Sequence, residues 1–277
     1  MNKTQAIGVF DSGYGGLTIL RELVKYLPKH DFIYLGDNAR TPYGTRSFEI
    51  IYEYTLQAVK ELFNRGCTLV ILACNTASAK ALRTIQQKDL PLIDPKKRVL
   101  GVIRPSIEFI SKESVSGHIG ILATSGTVSS ESYPIEFNKW SNGRIKSCVQ
   151  QACPMWVPII ENNEIDTPGA NYFIARDIQR LLEKDSEIDH IILGCTHYPL
   201  LINIIRKELI GKPIKVVEQG IVVALSLVDY LQRHPEINEQ ISKHSNLKFY
   251  TTEQSSLFEN RAKNFMGQEI KAETIHL

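Results

Sequence analysis

Two cysteines of this 277-residue chain stand in matching sequence settings. Cys74 follows the apolar run 70–73, and Cys195 follows the run 191–194; polar residues come next in both cases. Such a position, where a strand gives way to a helix, lowers a thiol pKa from ~8.5 toward neutrality. Each cysteine is therefore a candidate nucleophile, or a general acid or base near neutral pH.

An internal repeat relates the two cysteine segments. Residues 71–76 resemble residues 192–197, and residues 7–13 resemble residues 119–126 at nearly the same offset. Two ordered matches of this kind indicate a duplicated α/β unit. Because ligands of open α/β sheets bind beyond the carboxyl ends of the strands, we expect two lobes with the cysteines on opposite walls of one cleft.

Two opposed thiols suit the inversion of a stereocentre, in which a base removes a proton from one face and an acid returns one to the other. The neighbouring residues suit an amino-acid ligand, since short hydroxyl, amide and carboxylate groups and helix N-termini bind its charged groups. These neighbours are Asp11, Ser12, Asn75, Thr76, Thr124, Thr127, Thr196 and His197.

Composition excludes other classes of protein. Lys and Arg number 32 against 30 for Asp and Glu, and the basic residues are spread along the chain, so we expect no nucleic-acid partner. The five cysteines include no C-x-x-C pair, which indicates free thiols and no metal site. We interpret Cys67, Cys148 and Cys153 as structural residues.

Membrane insertion is not expected. The N-terminal residues lead into a strand at Ile7 without the apolar stretch of a signal peptide, and the longest apolar runs are far shorter than the ~20 residues that span a bilayer. We therefore expect a cytoplasmic protein.

Short apolar runs alternate with amphipathic stretches, a pattern that predicts α/β lobes with mostly parallel sheets. We predict helices over 48–65, 171–183 and 200–209, a turn and helix over 251–267, and a closing strand over 269–276. The other predicted strands are 7–10, 32–35, 69–73, 99–103, 119–123, 191–194 and 215–217. The repeat divides the chain into a first lobe, 1–98 with 211–277, and a second lobe, 99–210.

Four sequence blocks together resemble the hallmark blocks of bacterial glutamate racemases, in the aspartate/glutamate racemase family. They are residues 10–17, 36–44, 73–78 and 194–200, and the likeness runs from about Ile7 to the C-terminal strand. The resemblance implies two pseudo-two-fold-related α/β lobes with the active site in the cleft between them. It also implies a homodimer that interconverts L- and D-glutamate without pyridoxal phosphate, other cofactors or metal. The D-glutamate would supply peptidoglycan synthesis, and hence cell-wall formation and cell shape.

The same resemblance assigns roles to residues. Cys74 exchanges the proton of D-glutamate and Cys195 that of L-glutamate, with Asp11 and His197 as their helpers. The catalytic set also includes Asp37, an acidic residue near the site, and Glu161, which pairs with the histidine. The substrate-binding positions are Asp11, Ser12, Pro42, Tyr43, Gly44, Asn75, Thr76, Thr124, Thr127, Thr196 and His197.

One segment departs from the family pattern. The chain has Glu218-Gln219-Gly220 where Asp-Ser or Asp-Pro is usual, which leaves the start of the following helix open.

Three alternatives to a glutamate racemase remain. An aspartate-type racemase tends to carry a carboxylate at the position of His197. An inactive amino-acid-binding protein has no need of both cysteines and both helpers. A thiol hydrolase uses one nucleophile and leaves the second cysteine without a role.

Overall fold

The computed structural model describes residues 5–277. The first four residues, on which the expectation of no signal peptide partly rests, lie outside this range. The chain divides into two compact units, one formed by residues up to 102 together with 220–277 and the other by 103–219. Within residues 5–277 no helix is both long and apolar enough to cross a membrane.

Strands and helices alternate along most of the chain. The strands are β1 Ile7–Asp11, β2 Phe32–Gly36, β3 Leu69–Leu72, β4 Arg98–Gly101, β5 His118–Ala123, β6 Ser147–Ala152, β7 His190–Gly194, β8 Lys215–Val217, β9 Leu247–Thr251 and β10 Ala272–Thr274. The α-helices are α1 Gly16–Tyr26, α2 Phe48–Asn64, α3 Asn75–Lys80, α4 Leu82–Thr84, α5 Leu90–Ile93, α6 Ile103–Glu113, α7 Ser125–Ser129, α8 Ser132–Trp140, α9 Trp156–Glu161, α10 Pro168–Lys184, α11 Ile202–Glu208, α12 Gln219–Arg233, α13 Pro235–Asn238 and α14 Ser255–Met266. Asn38–Arg40 and Tyr198–Leu201 are 3₁₀ turns, and Ile85–Asp89 is a π-helical stretch.

The sheet of the first unit has the order β10-β9-β2-β1-β3-β4, and its strand pairs are all parallel. Strands β1, β2 and β3 are buried along their whole length, as expected of apolar runs covered on both faces. Because Phe10 lies opposite Leu72 in the register of β1 and β3, Asp11 and Cys74 end up at the same edge of the sheet.

The sheet of the second unit has the order β6-β5-β7-β8 and is also parallel throughout. Ala123 lies opposite Gly194 in the register of β5 and β7, so Thr124 and Cys195 follow the sheet at one edge. These two sheets confirm the predicted α/β class with mostly parallel strands.

Two strands were not predicted, because their sequences lack a continuous apolar run. Strand β6 reads SCVQQA and is only half-buried at the edge of its sheet, and β9 reads LKFYT. Strand β9 lies where we predicted no element before the turn at 251, and it pairs with β2.

The unit boundaries also differ from the predicted ones. The predicted second lobe, 99–210, begins inside β4, but β4 pairs with β3 in the first sheet. The predicted return to the first lobe at 211 precedes β8, which pairs with β7 in the second sheet. Hydrogen bonding to a neighbouring strand decides the sheet to which a strand belongs, and a strand's own sequence does not reveal that neighbour.

The Glu218-Gln219-Gly220 departure is the start of α12. The buried Gln219 amide donates hydrogen bonds to Ser106 Oγ at 2.7 Å and to the Tyr133 hydroxyl at 3.0 Å. A Cβ atom at Gly220 would lie 3.0 Å from Glu22 Cγ and 3.3 Å from the Thr18 carbonyl oxygen of α1. The glycine therefore lets the first turn of α12 approach α1 closely.

Gly16 gives a first testable prediction, because a Cβ atom there would lie 2.4 Å from Asp11 Cβ. Helix α1 begins directly behind Asp11, so Gly16→Ala should displace that aspartate and lower the free energy of unfolding by about 1–3 kcal/mol. Gly169→Ala is the matched control, since its nearest neighbour would be 3.8 Å away. Urea unfolding followed by circular dichroism measures both; equal stability of the two variants contradicts the prediction.

Candidate active site

Cys74 lies just beyond β3 and caps the N-terminus of α3. Its Sγ atom accepts a hydrogen bond from the Ala77 N–H at 3.4 Å, and Ser12 Oγ lies 3.4 Å away. The side chain is buried, with 6% of the residue exposed. A position at a helix N-terminus suits a thiol that must lose and regain a proton.

Asp11 is fully buried at the end of β1, and its Oδ2 accepts a hydrogen bond from the Gly13 N–H at 2.9 Å. Tyr34 supports the same turn, because its hydroxyl donates to the Gly13 carbonyl at 2.9 Å. Burial raises the pKa of Tyr34, and Asp11 and Cys74 raise it further, so the phenol keeps its proton. The turn that carries Ser12 is thus held from both sides.

Asp37 is buried, and both of its carboxylate oxygens accept hydrogen bonds from protein side chains. Arg40 Nε lies 2.9 and 2.8 Å from its two oxygens, and the Tyr43 hydroxyl also donates to it. These contacts favour a positioning role for Asp37 over the predicted catalytic one.

Tyr43 and Gly44 offer backbone donors beside this cluster. Burial raises the pKa of the Tyr43 hydroxyl, and Asp37 raises it further, so the side chain remains a neutral donor to that carboxylate. Among residues 5–277, the backbone N–H groups of Tyr43 and Gly44 have no hydrogen-bond acceptor. The preceding residue, Pro42, has no N–H group, so these two amides are the donors that the segment can offer to an anion.

The remaining predicted binding residues of the first unit follow Cys74 directly. Asn75 and Thr76 are both buried and form the first turn of α3. They lie at the same sheet edge as Asp11 and Ser12, as the sequence predicts.

In the second unit, Cys195, His197 and Glu161 form a chain of contacts. His197 Nδ1 lies 3.9 Å from Cys195 Sγ, and its Nε2 lies 3.0 Å from Glu161 Oε1 at the end of α9. Burial lowers the pKa of His197, but the hydrogen bonds to Cys195 and Glu161 outweigh this effect and raise it to about 10. A protonated imidazole therefore stands beside Cys195 at neutral pH.

The threonines of the second unit lie at the same edge of its sheet. Thr124 caps α7, accepting from the Thr127 N–H at 3.3 Å and donating to Thr127 Oγ1 at 3.2 Å. Thr196, next to Cys195, is buried. The predicted binding residues of this unit thus lie at the sheet edge where Cys195 follows β7.

The other three cysteines are chemically different. Burial raises the pKa of Cys67 and of Cys148 to about 12, and it raises that of Cys153 as well. A raised pKa keeps these thiols protonated at neutral pH. Within the described part of the chain, no group of three or more His, Cys, Asp and Glu side chains could hold a metal ion.

Sequence reasoning missed three residues that support the site, namely Tyr34, Arg40 and Thr252. Arg40 carried a local signal, because it follows Asp37 at a spacing of three residues within the recognised block 36–44. Tyr34 lies in an apolar strand and Thr252 far along the chain, so neither carried a signal.

Comparison with known proteins decides the family. The family model for Asp/Glu/Hydantoin racemases matches residues 7–225. The chain belongs to the Asp/Glu/Hydantoin racemase family. The predicted family membership is therefore confirmed.

Relatives of this racemase share nearly its whole length. It is 41% identical to a glutamate racemase from Ruegeria sp. (strain TM1040), over 97% of this chain and 99% of that one. Its structure is similar to a glutamate racemase isoform of Bacillus anthracis, with a TM-score of 0.88, 34% identity, and coverage of 100% of this chain and 99% of that one. A Francisella tularensis glutamate racemase in complex with D-glutamate is also similar, with a TM-score of 0.85, 29% identity, and coverage of 99% and 98%. These relatives confirm the prediction of an isomerase of the glutamate racemase type.

The raised pKa of His197 gives a pH-dependent prediction for this racemase. A folded-state pKa of about 10, above the ordinary histidine value near 6.5, stabilises the fold fully below about pH 6.5, and the stabilisation is lost as pH rises through about 10. Glu161→Gln removes one partner of the protonated ring, so its pKa should fall. Nuclear magnetic resonance of the imidazole should show His197 protonated at neutral pH in the parent chain and titrating at lower pH in the variant.

A stability measurement provides a second check on the same pair. The stability difference between the parent chain and Glu161→Gln should shrink as pH rises toward about 10, where the parent imidazole also loses its proton. Glu164→Gln, an exposed neighbour, should leave the titration of His197 unchanged. Titration of His197 near its ordinary value in the parent chain would contradict the prediction.

Proposed function

We propose that this racemase interconverts L- and D-glutamate by a two-thiol proton transfer that needs no cofactor. The observation that carries the proposal is the matched setting of the two cysteines. Cys74 and Cys195 each follow a buried parallel strand, and each has a polar partner at its sulfur atom, Ser12 for the first and His197 for the second.

The proposed reaction conserves protons between the two thiols. With L-glutamate bound, the Cys195 thiolate removes the α-proton, and the electron pair of the broken C–H bond remains on the α-carbon. The Cys74 thiol then donates its proton to the opposite face of that carbon, which yields D-glutamate, a Cys195 thiol and a Cys74 thiolate. The reverse reaction uses the same groups with their roles exchanged.

The second thiol is proposed to be assisted by its neighbouring histidine. His197 is held by Glu161 at 3.0 Å and keeps its proton at neutral pH, so a positive charge stands next to Cys195 Sγ. This arrangement supports Cys195 as the base toward L-glutamate.

The first thiol has neutral polar groups beside it. The Ala77 N–H and the Ser12 hydroxyl lie within reach of Cys74 Sγ, and Asp11 is buried nearby at the end of β1. Neutral donors favour a thiolate less strongly than a cation does, which supports Cys74 as the resting acid.

Recognition of a dicarboxylate is proposed to use backbone and hydroxyl donors. The unpartnered N–H groups of Tyr43 and Gly44 suit one carboxylate of the substrate, since backbone amides bind anions without adding a net charge. Asn75, Thr76 and Thr196 are buried next to the two thiols and suit the groups attached to the α-carbon.

Glutamate is favoured over the alternatives on specific residues. An aspartate-type enzyme tends to have a carboxylate where this chain has His197, and here that histidine contacts both Cys195 and Glu161. An inactive binding protein or a thiol hydrolase has no use for two cysteines that each have their own partners.

The biological setting is proposed by relationship. D-glutamate produced in this way would supply peptidoglycan synthesis in the cytoplasm of a bacterium, and the enzyme is proposed to act as a homodimer. Light scattering after gel filtration tests the dimer, which a monomeric mass would exclude.

The activity itself is tested with the purified chain and glutamate alone. We expect optical rotation to fall to zero from either enantiomer, with solvent deuterium entering at the α-carbon and no added cofactor. Racemisation of aspartate with glutamate left unchanged would overturn the substrate assignment.

The two-thiol mechanism predicts equal dependence on both cysteines. Cys74→Ser and Cys195→Ser should each lower kcat by at least about 10²-fold, because a hydroxyl is a far weaker base than a thiolate. Cys148→Ser is the control, since Cys148 has a raised pKa and lies outside the proposed proton path. Retention of full activity in either of the first two variants would exclude the mechanism.

A further inference from the structure

Thr252, a residue that the proposed function does not use, completes the hydrogen-bond cluster around Asp37. Strand β9 pairs with β2 so that Thr251 lies opposite Gly36, which brings the next residue of each strand together. Thr252 Oγ1 donates to Asp37 Oδ1 at 2.9 Å and accepts from the Ala39 N–H at 3.0 Å. The hydroxyl therefore joins the carboxylate to the 3₁₀ turn that follows it.

The Asp37 carboxylate has little freedom to move within this cluster. Arg40 Nε lies within 2.9 Å of both of its oxygens, and the same guanidinium donates to Gln57 Oε1 at 2.6 Å. The guanidinium also stacks 4.0 Å from the centre of the Tyr54 ring. A rotation of the carboxylate would break contacts with Arg40 and Thr252 together.

The carboxylate in turn fixes Tyr43. The hydroxyl of this buried tyrosine donates to Asp37, and its ring packs against Phe10 and Tyr54 at centroid distances of 6.3 and 5.9 Å. The hydroxyl bond and the ring packing together fix the Tyr43 side chain. The fixed side chain in turn limits the orientation of the backbone at Tyr43 and Gly44.

We infer that Thr252 is a positioning residue for substrate binding. By holding Asp37 it holds Tyr43, and with Tyr43 the two unpartnered backbone N–H groups that face a substrate carboxylate. The inference rests on the proposed function, since it assumes that these amides bind the amino acid. Thr252 acts on binding and not on proton transfer, because the sulfur of Cys74 is contacted by Ser12 and Ala77, outside this cluster.

The test compares Thr252→Val, which keeps the shape and removes the hydroxyl, with Thr252→Ser, which restores it. We expect Thr252→Val to raise KM for both enantiomers of glutamate by roughly fivefold, the effect of one net hydrogen bond, with kcat within about twofold of the parent. The pH profile of kcat should not move, and Thr252→Ser should restore the parent KM.

Thr55→Val is the control for a general loss of packing or hydroxyl bonding. Thr55 lies in the first unit as well and is buried, and its hydroxyl donates to the Ile51 carbonyl within α2. This variant should leave KM unchanged. An equal rise of KM in Thr55→Val, or an unchanged KM in a folded Thr252→Val protein, would overturn the inference.

A double variant tests the proposed route through Tyr43. In a Tyr43→Phe background, which already lacks the bond to Asp37, the added effect of Thr252→Val on KM should be much smaller than in the parent. Full additivity of the two effects would overturn the route.

An activity-independent measurement separates this inference from the proposed function. The nuclear magnetic resonance chemical shifts of the Tyr43 and Gly44 amides should change in Thr252→Val and should match those of the parent in Thr252→Ser. If the parent chain fails to racemise glutamate, the proposed function is wrong, whereas unchanged amide shifts in Thr252→Val would overturn the positioning role whatever the activity.

Discussion

In each unit, a central parallel strand is hydrogen-bonded in register to the strand that carries a cysteine. Phe10 of β1 lies opposite Leu72 of β3, and Ala123 of β5 lies opposite Gly194 of β7. Because parallel strands end at the same edge, the polar residues that follow one strand must stand beside the thiol that follows its neighbour. Asp11 at the end of β1 and the helix caps Cys74 and Thr124 take their positions from these two registers.

The two thiols are supported by different electrostatic means. Cys195 stands beside a buried histidine whose pKa is raised by its hydrogen bonds to Cys195 and to the partly buried Glu161. Cys74 Sγ accepts a hydrogen bond from the Ala77 N–H, and the Ser12 hydroxyl lies 3.4 Å from it. A reaction in which one thiol must be charged while the other is not benefits from this asymmetry, since two identical environments would give both thiols the same protonation state.

Buried charge links the site to the stability of the first unit. Asp37 is completely buried, and removal of a single partner from a buried ion pair costs about 3–5 kcal/mol because the remaining charge is uncompensated. The Asp37 charge is compensated by hydrogen bonds from Arg40, Tyr43 and Thr252. The segment whose amides are proposed to bind a substrate carboxylate is therefore held by the same contacts that compensate the buried charge of Asp37.

Much of this protein was determined by sequence alone. Continuous apolar runs predicted β1, β2, β3, β5 and β7, and the repeated strand–cysteine pattern selected Cys74 and Cys195 from five cysteines. Such features are local, because burial on both faces requires apolar residues at consecutive positions. The polar strand β6 and the alternating β9 lacked this signal, since their place in a sheet depends on a neighbouring strand.

The tertiary structure decided the pairings between distant segments. Thr252 lies 215 residues from Asp37, and Glu161 lies 36 residues from His197, yet each pair is within 3.0 Å. The assignment of β4 to the first sheet and of β8 to the second was likewise a matter of hydrogen-bond partners. The sequence shows which groups can donate or accept a hydrogen bond. Which donor lies near which acceptor depends on the path of the backbone through the folded structure.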